Sequence, residues 1–185
     1  MKKIQVFTIL LLTVFLLFSC AGAPDTENVL SVMYEPYVCD VAVNDKDVIY
    51  AASAKRDAEG NVSFELIQPA LLYGTEYVCG KDGLSVVYKD LEIPVGDYAK
   101  GKITRGVAVW RDMLCPEGDF IAHVKNDNGV RQYVIANDTA EYRFDAKTKA
   151  PVLIKSGDIT ITITNFRLQN DKSSEGAGEN IESGT

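Results

Sequence analysis

Apolar residues recur at every second position through most of this chain, and at helical spacing in one stretch. The clearest alternation is at 158–166, where Ile159, Ile161 and Ile163 interleave with Thr160, Thr162 and Thr164. That period of two predicts a strand with one buried face. Residues 38–43, 48–55 and 62–67 read as strands too, the last setting Val62, Phe64 and Leu66 against Ser63 and Glu65. Glu59-Gly60-Asn61 supplies a reversal, so the second and third form a hairpin, and Pro69 stops the third. Strands at 75–79 and 84–88 flank Gly80-Lys81-Asp82-Gly83, and 91–95 completes a meander. Strands return at 120–125 and 130–136 around the Asn128-Gly129 turn signal, and at 141–145 and 151–155 before the final one.

The exception lies between the two groups of strands. Ile103, Val107, Trp110 and Leu114 are spaced by four, three and four, which places them on one face of a helix ending near Cys115-Pro116. Gly101 and Gly106 argue for a late start to that helix. The expected fold class is mainly β (α+β): a curved antiparallel sheet or unclosed β-barrel covered by one or a few helices.

The ends of the chain change the picture. Lys2 and Lys3 precede a predominantly apolar run at 4–18, and Cys20 falls where a secretory signal would be cut. This is the layout of a bacterial lipoprotein signal peptide at 1–19 with lipid attached to Cys20, and a plain transmembrane anchor is the alternative. Residues 20–28 then read as the lipidated cysteine and tether, 29–168 as a single β domain, and 169–185 as a disordered acidic tail of Ser, Gly, Glu and Asn. The expected location is the outside of a bacterial membrane, held by palmitate-type acyl chains.

The formal net charge of -7 becomes about -9 once Lys2 and Lys3 are removed. Such an acidic domain is a poor partner for nucleic acid and gains nothing electrostatically from anionic lipid, so attachment falls to the anchor. A monomer is expected. Cys39 and Cys79 are the candidate disulfide, since both sit in strand-like runs whereas Cys115 ends the helix; the alternative is three buried free thiols. No C-x-x-C pair is present, and neither a metal nor a cofactor is expected.

Catalytic chemistry is thinly supplied. His123 is the one histidine, no serine sits in a nucleophile elbow, and acidic residues such as Asp45, Asp47, Asp127 and Asp138 fall at turns and strand ends. An enzyme is not expected. The apolar faces allow two readings. Ile103, Val107, Trp110 and Leu114 either plug the core or form one wall of a lipid-sized cavity, with Phe64, Leu66, Val86, Tyr88, Ile161 and Ile163 as the other wall.

Residues 48–166 resemble the LolA-like lipoprotein-carrier superfamily, in its branch of small lipoproteins. The resemblance is carried by Val62, Phe64, Leu66, Pro69, Leu72, Gly74 and Tyr77, by Gly83, Leu84, Val86, Tyr88 and Leu91, and by a closing hairpin. That hairpin is read from Tyr142, Phe144, Asp145, Thr148, Ala150 and Pro151 followed by Ile159, Ile161, Ile163, Asn165 and Phe166. It implies an unclosed antiparallel barrel wrapped around helices, with an apolar concavity that receives acyl chains. The anchor at Cys20 departs from the freely shuttling carriers and implies a tethered acceptor, local lipid handler or envelope sensor. The rival is a protein-binding envelope sensor or scaffold with a filled core.

Overall fold

Eleven strands pair antiparallel in one sheet, and chain order explains almost all of its topology. In the computed structural model, which describes residues 26–81, 83–95, 101–114 and 120–169, β1 (Tyr37–Asp45), β2 (Val48–Arg56), β3 (Val62–Gln68), β4 (Thr75–Gly80), β5 (Gly83–Tyr88) and β6 (Leu91–Val95) step outward as a meander. Beyond helix α2 (Lys102–Leu114), β7 (Ile121–Asp127), β8 (Val130–Ala136), β9 (Ala140–Asp145), β10 (Pro151–Ser156) and β11 (Ile159–Leu168) step back inward. The two meanders join where β11 pairs with β1, so the first and last strands are central and β6 and β7 are the two edges. The predicted fold class is the one observed, and each strand read from the sequence is present.

Alternation builds the core as expected. Tyr37, Cys39, Val41 and Val43 of β1, Tyr50, Ala52 and Ala54 of β2, Val62, Phe64 and Leu66 of β3, and Ile159, Ile161 and Ile163 of β11 are all buried on the inner face. Asn128-Gly129 takes the positive φ values, 49° and 82°, that a tight hairpin requires.

Helix α2 lies against this inner face, contacting β1, β4 and β11 and burying Thr104, Val107, Trp110 and Met113. Trp110 is wholly buried: its indole Nε1 donates to Tyr37 Oη at 2.8 Å, and its ring meets Phe64 edge-on at 5.4 Å between centroids. Tyr37 in turn stacks on Phe166 at 5.1 Å. Gly106 is where the helix backbone comes closest, for a Cβ there would lie 1.9 Å from Tyr50 Oη. That hydroxyl donates to the Ile103 carbonyl at 3.1 Å. The glycine that weakens the helix as a sequence signal is therefore what lets the helix dock.

Two expectations need correction. Residues 21–28 read as a tether with order beginning near Val29, yet a short helix α1 (Thr26–Leu30) starts earlier and runs into a 3₁₀ turn (Ser31–Tyr34). Val29, Leu30 and Met33 from these turns are buried in the core. At the other terminus Gln169 donates its backbone N–H to the Pro36 carbonyl at 2.9 Å, while 170–185 lie outside the described residues, as do 1–25 with Cys20.

The second correction concerns Cys39 and Cys79, which are free thiols. β1 and β4 have two strands between them, about 14 Å along the sheet, whereas a disulfide needs Cα atoms within about 7 Å. Cys115 lies outside the described residues. Burial pushes the Cys39 thiol up to about 12, with the neighbouring Asp40 carboxylate adding to the shift. Cys39 therefore holds essentially no reactive thiolate at neutral pH. In the native protein, iodoacetamide is expected to label the half-buried Cys79 before Cys39, with Cys39 reacting only on denaturation; peptide mapping showing equal rates would contradict this packing.

Candidate functional site: a groove beside the helix

Helix α2 fills only one side of the concavity. Between its other side and β9–β10 runs a groove whose first part, about 870 Å³, is lined by Arg105, Ala108 and Val109 from the helix. Opposite them are the β8–β9 turn (Asn137, Asp138, Thr139) and the β10–β11 turn (Gly157, Asp158). The groove continues past Thr139, Ala140 and Ser156 into a second part of about 760 Å³ bounded by Arg111, Asp112, Phe120, Tyr142, Arg56 and Tyr34.

Local chemistry holds the helix at this distance. Asp45 ends β1 buried, and its Oδ2 lies 3.2 Å from Nη1 of Arg105, whose side chain is 40% exposed at the mouth of the groove. Nearby, Lys102 faces Asp47 at 3.7 Å, and Lys46 meets Asp158 at 2.7 Å across the adjoining β1–β2 and β10–β11 turns. Exposed pairs of this kind stabilise little, whereas the Asp45 carboxylate is buried and depends on its arginine. Farther in, Phe120 and Tyr142 pack at 5.6 Å. Burial raises the Tyr142 phenol above its usual range, helped by the Asp112 carboxylate, so it stays neutral and can both donate and accept.

The wall residues taken from the sequence lie elsewhere. Phe64, Leu66, Val107, Trp110, Ile161 and Ile163 come together as the packed core on the helix's other side. Val86 and Tyr88 sit on β5 towards the β6 edge, with Tyr88 half-exposed, and the Leu114 side chain lies outside the described set. None of the described ones lines the groove. Sequence reasoning missed Ala108, Val109, Ala140 and Tyr142; the one available signal was Ala108-Val109 on a helix face away from Trp110. His123 is exposed on β7 opposite Val134. No group of three or more potential ligands among the described residues is placed to hold a metal ion.

No family model and no curated protein matches the chain. Solved structures do. A conserved protein of uncharacterised function from Thermus thermophilus matches with a TM-score of 0.53 at 10% identity, covering 78% of this chain and 85% of that one. The LolA superfamily protein NE2245 from Nitrosomonas europaea matches at 0.43 with 9% identity over 80% and 95% of the two chains. A DUF1329 family protein from Desulfovibrio piger gives 0.39 with 12% identity over 79% and 92%. With the Thermus protein the likeness is one of fold. The LolA-like resemblance implied an unclosed antiparallel barrel wrapped around helices, and this chain has the half-open antiparallel sheet with one long helix against its inner face.

Proposed function

We propose that this chain is a non-enzymatic lipoprotein of the bacterial envelope, anchored through Cys20 after removal of 1–19, which holds an acyl chain or similar apolar group in the groove beside α2. The observation carrying this reading is the groove itself: an open recess whose lining includes Ala108, Val109, Ala140, Phe120 and Tyr142, with charged residues such as Glu141 and Lys155 interspersed among them. Binding there needs no covalent chemistry. Each methylene taken out of water contributes about 0.8 kcal/mol, so a chain of moderate length gains useful affinity from burial alone. No helix among the described residues is long and apolar enough to cross a membrane, and the proposed attachment rests on the N-terminal sequence.

The test is native mass spectrometry of the protein isolated from membranes. A chain-length-dependent lipid adduct is expected, and Val109→Trp should remove it by filling the groove while leaving the unfolding midpoint nearly unchanged. A wild-type protein that carries no adduct and takes up no added fatty acid or phospholipid would refute the reading. Processing and membrane attachment that survive Cys20→Ala would refute the anchor.

A protein-binding sensor or scaffold is the second reading, favoured by one feature. Leu71, Tyr73, Tyr88, Leu91 and Ile93 are exposed on the β3–β4 connection and the β5–β6 hairpin, and Leu71 is 91% exposed. That reading predicts that the wild type takes up no lipid and that Leu91→Asp abolishes capture of the partner protein while leaving the unfolding midpoint unchanged.

A further inference from the structure

Arg56, at the end of β2, carries a positive charge into the inner part of the groove, and no carboxylate among the described residues pairs with it. Its guanidinium is nonetheless fixed. Nε donates to the Tyr34 carbonyl at 3.3 Å and Nη1 to the Gly60 carbonyl at 3.2 Å, which set its plane without neutralising its charge. Nη2 lies beside Gly60, where a Cβ would come within 3.1 Å, and the φ of +90° there also favours glycine. The same recess holds Arg111, but Asp112 takes that charge at 2.9 Å. Arg56 is left as the net cation, with Ser156 as a hydroxyl donor and Phe120, Ala140 and Tyr142 as apolar surface; the Thr139 hydroxyl already donates to Asn137 Oδ1 at 2.9 Å.

A rigid guanidinium with a nitrogen to spare suits a phosphate or carboxylate oxygen, and the adjoining apolar recess suits a chain. We infer that this end of the groove takes the anionic head of an amphiphile, phosphate or carboxylate, whose apolar chain runs along α2. The inference rests on the groove being the binding site proposed above. The protein's net negative charge makes it a demanding case, since preference for an anion must then come from this local arrangement.

Isothermal titration of the full chain with octyl phosphate, octanoate, octanol and inorganic phosphate separates head from chain. An anionic octyl ligand is expected to bind about tenfold more tightly than octanol, as a charge-assisted hydrogen bond allows. In Arg56→Gln that preference should fall to near unity with octanol affinity unchanged, which also shows that the variant is folded; Arg56→Lys should retain part of it. Equal binding of anionic and neutral ligands by the wild type, or a preference that survives Arg56→Gln, overturns the inference. Octanol binding without any anion preference would leave the chain-binding reading standing and this one refuted. Inorganic phosphate binding as tightly as octyl phosphate, with octanol silent, would refute both, because the chain would then contribute nothing.

Discussion

Trp110→Ala is expected to lower the unfolding free energy by about 3–5 kcal/mol, the range for deleting a fully buried aromatic side chain. The mechanism is specific to this site. The substitution removes the edge-on contact with Phe64 and leaves the wholly buried Tyr37 hydroxyl without its 2.8 Å donor. Against a total stability of about 5–15 kcal/mol, a loss of that size is a large fraction of the whole. Urea unfolding followed by circular dichroism gives the number. Trp110→Phe separates the two contributions, since it keeps most of the ring but not the Nε1 donor, and its cost should be intermediate. A loss below about 0.5 kcal/mol for Trp110→Ala, the ordinary surface value, would mean that the indole is not packed as described.

Gly106→Ala opposes two effects whose sizes decide the outcome. Alanine favours a helix over glycine by about 1 kcal/mol. Its Cβ, however, would stand 1.9 Å from Tyr50 Oη and 3.2 Å from Val43 Cγ1, in a layer with no room to yield because Tyr50 and Val43 are both buried. Overpacking of that kind costs about 1–3 kcal/mol and more when a hydrogen bond goes with it, here the one from Tyr50 to the Ile103 carbonyl. The clash wins, and a net loss of about 2 kcal/mol is expected. Tyr50→Phe removes the oxygen in the way, leaving the ring carbon 3.1 Å from the new methyl. The double variant should therefore be more stable than the sum of the two single losses predicts. Additive losses would show that the close approach lies elsewhere.

The strands were readable because each exposes one face and buries the other, so the alternation of Ile159–Ile163 or Val62–Leu66 states its own geometry. Helix α2 was readable for the same reason. Helix α1 was not: Val29, Leu30 and Met33 span too few residues to set a period, and they join the core through tertiary packing alone. The groove was less legible still. Its walls are turns and small side chains, Ala108, Ala140 and Gly157 among them, chosen by how far the helix leans towards β1 and β4. Large apolar residues attract attention in a sequence, and here Trp110, Phe64 and Ile161 are consumed by the packing that leaves the groove beside them. Arg56 was hidden for a different reason: its role depends on carbonyls of residues 34 and 60.

The pairing of β1 with β11 also sets an order of assembly. Every other strand pairs only with its neighbours in sequence, joined by short turns, so the two meanders can form early and separately. The central join cannot, because Tyr37 finds Leu168 only after the chain between them has been made. A chain growing from its N-terminus therefore carries β1 as a bare, apolar sheet edge until the last strand arrives. Keeping that edge from pairing with another chain during synthesis is then part of reaching the folded state.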